Sequence, residues 1–210
     1  MRPILRAISF HVESGEIVSL VGGNAAGKTS TLRAIVGLAK QASGQIQFEG
    51  RPIVGIEPKD LLRLGIAFCA SERQIFPEMS VFENLEMGAY IFGRERGSEF
   101  EASLERIFSL FATLKERLHQ RAGTLSGGEQ KMLAVARALM ARPKMLLLDE
   151  PSLGLSPEMV ARFGDAVLDL NNQGMTLLIA EQNRSLAIAL SDRIYQLERG
   201  EIVAEGDRIN

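Results

Sequence analysis

The feature that most restricts how this chain folds is Gly22-Gly23-Asn24-Ala25-Ala26-Gly27-Lys28-Thr29, a G-x-x-x-x-G-K-[ST] loop between a β-rich run and a helical one. Before it, Glu16-Ile17-Val18-Ser19-Leu20-Val21 reads as a short strand. After it, Leu32, Ile35, Val36 and Ala39 recur at helical spacing between Lys28 and Lys40. Strand, glycine loop and helix in that order aim backbone amides and the positive end of a helix at one locus, which favours phosphate oxygens. Lys28 supplies a full charge for the β and γ phosphates of a nucleotide, and the Thr29 hydroxyl is a candidate Mg²⁺ ligand. The nucleotide-binding set therefore runs from Gly22 to Thr29 and on to Ser30. Ala25 stands where many such loops carry glycine. Its side chain limits positive φ and close phosphate approach, which predicts a weaker grip on nucleotide.

The remaining pattern continues an α/β alternation. Gly65 to Ala70, Lys144 to Leu148 and Met175 to Ala180 are short apolar runs of the kind covered on both faces in a parallel sheet. Gln45 to Gly50 alternates polar and apolar and turns at Gly50-Arg51-Pro52, predicting an antiparallel hairpin near the sheet edge; Arg193 to Ala204 closes with a second hairpin at Arg199-Gly200. From Val81 to Leu118 the spacing is helical, carried by Phe82, Leu85 and Met87 and then by Leu104, Ile107, Phe108, Phe111 and Leu114. Ser126-Gly127-Gly128-Glu129 has the form of a capping box that opens a helix running to about Met140, stopped by Arg142-Pro143. Ser156-Pro157 opens another. The expected fold class is an α/β P-loop NTPase with a mostly parallel core sheet, an antiparallel β edge and an inserted helical subdomain. Residues 1–75 and 120–210 would form the core with its β subdomain, and 76–119 the helical insertion, all within one domain.

Composition removes several alternatives. A formal net charge of −2 with 24% charged residues leaves no overall basic field for nucleic acid or an anionic membrane surface. The single cysteine, Cys69, excludes an intramolecular disulfide and lies in an apolar run, where a buried, unreactive thiol is expected. No apolar run reaches the roughly 20 residues of a membrane span, and Met1-Arg2-Pro3-Ile4 lacks a signal peptide's apolar core, so any membrane role needs partners.

Asp149-Glu150 ends an apolar strand, which places both carboxylates at the carboxyl edge of the sheet, beside the phosphate loop. Asp149 is a candidate to hold Mg²⁺ through water, and Glu150 to polarise or orient an attacking water as general base. Leu125-Ser126-Gly127-Gly128-Glu129-Gln130 lies between these two segments, and its glycine-rich helix start is an anion site without a lysine of its own.

Together these segments resemble the nucleotide-binding subunit of ABC transporters, with Walker A at Gly22–Thr29, the signature at Leu125–Gln130 and Walker B at Met145–Glu150. The signature makes the resemblance specific, and it covers nearly the whole chain. It implies that Ser126 and the Gly127 and Gly128 amides cap the γ-phosphate held by a partner subunit in a head-to-tail dimer. Within the superfamily, Arg121 to Ser126, Asp149 to Pro157, Ala180-Glu181-Gln182-Asn183 and Ile75-Phe76-Pro77 followed by Val81 to Leu85 look like the LivF branch, the ATPase of branched-chain amino acid importers. The implied ligands are ATP and Mg²⁺. The implied partners are a second ATPase subunit, either LivG-like or a second copy, membrane permease subunits, and indirectly a periplasmic or extracellular binding protein, with no nucleic acid. The implied location is the cytoplasmic face of the plasma (inner) membrane. Phe76, Phe82, Tyr90 and Phe92 cluster where the family docks a permease coupling helix, against core packing as the plainer reading, whereas Arg94 and Arg96 read as a solvated turn.

Three positions depart from the family pattern. Ser71 stands at the lid position, where Gln or Glu is usual, with Glu72 adjacent; Gln182 stands at the switch, where most members have His. Gln donates a hydrogen bond but carries no charge. The aromatic that stacks on adenine precedes the loop by more residues than are present, Phe10 and His11 are poor substitutes, and the chain reads as trimmed at both ends. These departures keep open a mainly regulatory ATP-binding subunit with weak turnover at its own site, and urea or another amide is the alternative substrate to branched-chain amino acids.

Overall fold

The computed structural model describes residues 5–39, 43–72, 75–92 and 97–207. Met1 to Ile4, Lys40, Arg94 and Arg96 lie outside the described residues, as does the side chain of Phe92.

Six strands form the main sheet: β1 (Ile17–Val21), β4 (Ile66–Cys69), β5 (Met145–Asp149), β6 (Thr176–Glu181), β7 (Arg193–Glu198) and β8 (Glu201–Asp207). Their order is β4-β5-β6-β1-β7-β8, parallel throughout except for the antiparallel β7–β8 pair at one edge. β1, β5 and β6 are buried at every position, which is why they read as continuous apolar runs rather than alternating ones.

Helices cover both faces. On one side α1 (Lys28–Ile35) and α2 (Pro58–Leu64) pack with Val18, Leu20, Leu147 and Leu178 through Leu32 and Leu61. On the other, α6 (Gly127–Leu139), α7 (Pro157–Asn172) and α8 (Arg184–Leu190) pack with Ile17, Leu146, Leu148 and Ile179. That second core is continuous with the helical insertion α3 (Val81–Gly88), α4 (Ser98–Leu110) and α5 (Ala112–Glu116), whose Leu104, Ile107, Phe111 and Leu114 are buried as their spacing requires. No helix among the described residues is long and apolar enough to cross a membrane.

Some elements differ from the sequence reading. The first hairpin, β2 (Gln47–Phe48) with β3 (Arg51–Pro52), is the antiparallel pair expected near the sheet edge, and it forms a separate two-stranded sheet. Its Ile46, Phe48 and Ile53 pack into the α1–α2 core, so side-chain burial holds it rather than a ladder to β4. α1 stops at Ile35, before Lys40, because Gly37 takes φ 71 and the amides of Leu38 and Ala39 turn back onto the Arg33 carbonyl. α2 and α8, each of 7 residues, are too short to present a clear period.

Candidate functional site

Four strand ends meet at the carboxyl edge: β1 running into the phosphate loop, β5 into Asp149-Glu150, β6 into Gln182, and β4 into Ser71. Register sets their neighbours, since Cys69 pairs with Leu148, Asp149 with Ala180 and Val21 with Glu181. Ser71 and Gln182 therefore flank the Asp149-Glu150 pair from the two adjoining strands, Ser71 half-buried and Gln182 exposed.

The loop is closed by its own backbone and by the β7–β8 hairpin. The Ala26 amide donates to the Gly23 carbonyl at 3.2 Å, and the Gly200 amide to the Ala26 carbonyl at 2.8 Å. Gly27 needs its glycine: φ is 113 and a Cβ would stand 3.3 Å from the Gly200 Cα. Ala25 does adopt the left-handed region, with φ 60, so its methyl group strains that conformation without preventing it, at a cost of roughly 1–2 kcal/mol.

Lys28, with a side chain 3% exposed, donates to the Gly22 carbonyl at 2.9 Å and the Gly23 carbonyl at 3.2 Å, and its Nζ lies 3.2 Å from Glu150 Oε1. The Thr29 hydroxyl donates to Asp149 Oδ1 at 2.9 Å. Asp149 is buried, and its Oδ2 has no hydrogen-bond partner among the described residues. Burial pushes the Asp149 carboxyl above its ordinary range; the Thr29 hydroxyl opposes this and the Glu150 charge reinforces it. A buried carboxylate oxygen without a donor, beside a hydroxyl oxygen, is an oxygen donor set that a hard divalent cation fits.

The signature segment divides into two groups. Leu125 is in the core, and Gln130 is buried with its amide donating to the Gly123 and Leu125 carbonyls at 3.2 and 3.0 Å. Glu129 accepts from the Ser126 amide at 2.8 Å, completing the capping box, and pairs with Arg117 at 3.1 Å. Burial would raise its carboxyl, but the Ser126 bonds and Arg117 together hold it below the usual range. A Cβ on Gly128 would stand 2.8 Å from Met159 Cε, the far end of a flexible side chain on α7 that would have to shift to admit it. The Ser126 hydroxyl and the amides of Gly127 and Gly128 are what this helix start offers to an anion. That start lies across the sheet from the phosphate loop, because α6 and α1 cover opposite faces.

Sequence reasoning missed two residues. Lys131 donates to the carbonyls of Glu150 and Leu153 at 2.9 and 2.6 Å. Glu181, buried at the end of β6, accepts from the amides of Gln182 and Asn183 at 2.8 and 2.9 Å and from Ser152 at 3.3 Å. A carboxylate closing an otherwise apolar strand was the available signal for Glu181; Lys131 gave none. Of the aromatic group, Tyr90 is 75% and Phe76 44% exposed, while Phe82 packs edge-on against Phe100. Phe10 lies against Tyr195 and His11 against Arg193, so both are engaged within the fold.

The sequence profile of the ABC transporter family matches residues 5–153. The chain belongs to that family. Among relatives of this ABC cassette, the high-affinity branched-chain amino acid transport ATP-binding protein BraG of Pseudomonas aeruginosa is 43% identical over 199 residues, covering 95% of this chain and 84% of BraG. The lipopolysaccharide export system ATP-binding protein LptB of Haemophilus influenzae is 34% identical over 209 residues, covering 98% of this chain and 85% of LptB. A crystal structure of a nucleotide-free ATP-binding cassette from an ABC transporter superposes with a TM-score of 0.87 at 30% identity, over 97% of this chain and 85% of that one. The cassette is thus an ATP-binding subunit of a transport system, with the P-loop fold expected from its sequence.

Proposed function

We propose that this cassette hydrolyses Mg-ATP at a site shared between two subunits and drives a branched-chain amino acid importer, as a member of the LivF branch. The observation that carries the catalytic part is the joining of two distant segments: Thr29 bonded to Asp149 at 2.9 Å and Lys28 beside Glu150 at 3.2 Å. In this reading the amides from Gly22 to Ser30 and Lys28 bind the phosphates, while Ser126, Gly127 and Gly128 serve the nucleotide of the partner subunit. Thr29 and Asp149 would hold Mg²⁺, which when bound neutralises charge on the phosphate oxygens. Lys28 must leave the Glu150 carboxylate as it turns to phosphate, and Glu150 is then available to accept a proton from water. Gln182 offers an uncharged donor at the switch, and Ser71 a hydroxyl at the lid. Exposed Tyr90 and Phe76 support a permease docking face on the helical insertion.

The substrate assignment rests on the 43% identity to BraG and on the LivF-like motif wording. The test is a pair of substitutions assayed with isolated chain and with added partner subunit. Lys28→Ala should weaken ATP binding at least 10-fold, and Glu150→Gln should lower turnover at least 100-fold while ATP still binds. Full affinity in the first, or undiminished turnover in the second, removes that residue from the mechanism. The regulatory reading is favoured by Ser71 and Gln182, and turnover appearing only with a partner would select it.

A further inference from the structure

Glu150 is one of six described residues other than glycine with positive φ, at 47°, and its side chain alone among these reaches the lysine of the phosphate loop. A carboxylate bearer in that region keeps its direction only if neighbouring groups hold the backbone there. Its amide is fixed by the Ala180 carbonyl at 2.8 Å, on the adjoining strand. Its carbonyl accepts from the Leu153 amide at 3.2 Å, a bond within the turn itself, and from the Lys131 ammonium at 2.9 Å. The same ammonium reaches the Leu153 carbonyl at 2.6 Å, so one cation spans both ends of the turn. From the other side, Glu181 accepts the Ser152 amide at 3.3 Å.

We propose that Lys131 is a positioning residue for Glu150, holding the 150–153 turn so that the Glu150 carboxylate faces the phosphate loop, and that it links the start of α6 to this turn. The inference rests on the reading of Glu150 as the group that activates water. Lys131 lies four residues beyond Gly127, one helical turn along the same face. Displacement of the helix start when it engages an anion is therefore carried by the ammonium to the Glu150 carbonyl of the same subunit. The coupling runs from the signature, which serves one nucleotide, to the carboxylate that serves another.

Lys131→Met keeps the aliphatic stem and removes the donor. Measured on the full chain, with the partner subunit if wild-type turnover needs it, kcat should fall about 10-fold or more. KM for ATP and the melting temperature should stay close to wild type, because no phosphate contact is lost. In a Glu150→Gln background the same change should cause less than a twofold further loss in single-turnover rate, since both substitutions act through one group. Lys131→Arg, which retains a cationic donor, should recover part of kcat. Unaltered kcat in Lys131→Met, or a full 10-fold further loss in the Glu150→Gln background, overturns the proposal. If Lys131→Met fails to fold, Lys131→Leu, which likewise removes the donor and keeps an aliphatic stem, is read by the same criteria. Failure of the underlying reading looks different: Glu150→Gln then turns over like wild type, whatever residue 131 is.

Discussion

Cys69 ends β4 inside the core, 8% exposed, and burial pushes its thiol up to about 11 from an ordinary 9.0. Below pH 9 both folded and unfolded chains keep the proton and stability is unaffected. Between pH 9 and 11 the unfolded thiol ionises first, so stability falls, by about 3 kcal/mol once both limits are passed. Denaturant titrations across this range should show that loss in wild type relative to Cys69→Ala, in which the component is absent. Parallel curves for the two proteins would contradict it. The same principle separates Asp149 from Glu150: adjacent in sequence, one carboxylate is buried against Thr29 with an oxygen left over, the other is partly exposed beside the Lys28 ammonium.

At the scale of elements, close approach sets what the sequence must supply. α3 crosses α6 so tightly that a Cβ on Gly88 would stand 2.1 Å from the Arg137 carbonyl oxygen, a backbone atom that cannot swing aside. Gly88→Ala should therefore separate the helices and destabilise the protein by about 1–3 kcal/mol, read as a lowered urea midpoint at unchanged slope. A midpoint equal to wild type would mean the crossing is looser than these distances. This contact also marks where sequence reading ends. The phosphate loop, Asp149-Glu150 and the Ser126 capping box were legible because each is contiguous and its chemistry fixes the spacing. The close fit at Gly88, the clasp of Lys131 on residues 150–153 and the Glu181 bond to Ser152 join segments distant in the chain, and only the packed sheet creates them. The two-stranded β2–β3 sheet was legible as a hairpin near the sheet edge but not as a separate sheet, because alternation reports pairing and not which core receives the buried side.

At the scale of the molecule, the sheet itself separates the starts of α1 and α6. α1 and α6 cover opposite faces, and the strands between them carry buried side chains on both sides. The loop around Lys28 and the start around Ser126 therefore do not converge within one subunit, and a site that uses both needs two. Mixing distinguishes this from a site within one chain. Lys28→Ala leaves the signature intact, and Ser126→Arg places bulk and charge on the helix start while leaving the phosphate loop intact. Each should be inactive alone. In an equimolar mixture of such homodimers after exchange, half the dimers pair one variant with the other, and each of these contains one complete site of two. About a quarter of wild-type activity should then appear, given a closed two-fold assembly with independent sites. A mixture as inactive as its components would refute shared sites between copies of this chain, and the same exchange run with a LivG-like subunit would then show which of its two faces the partner completes.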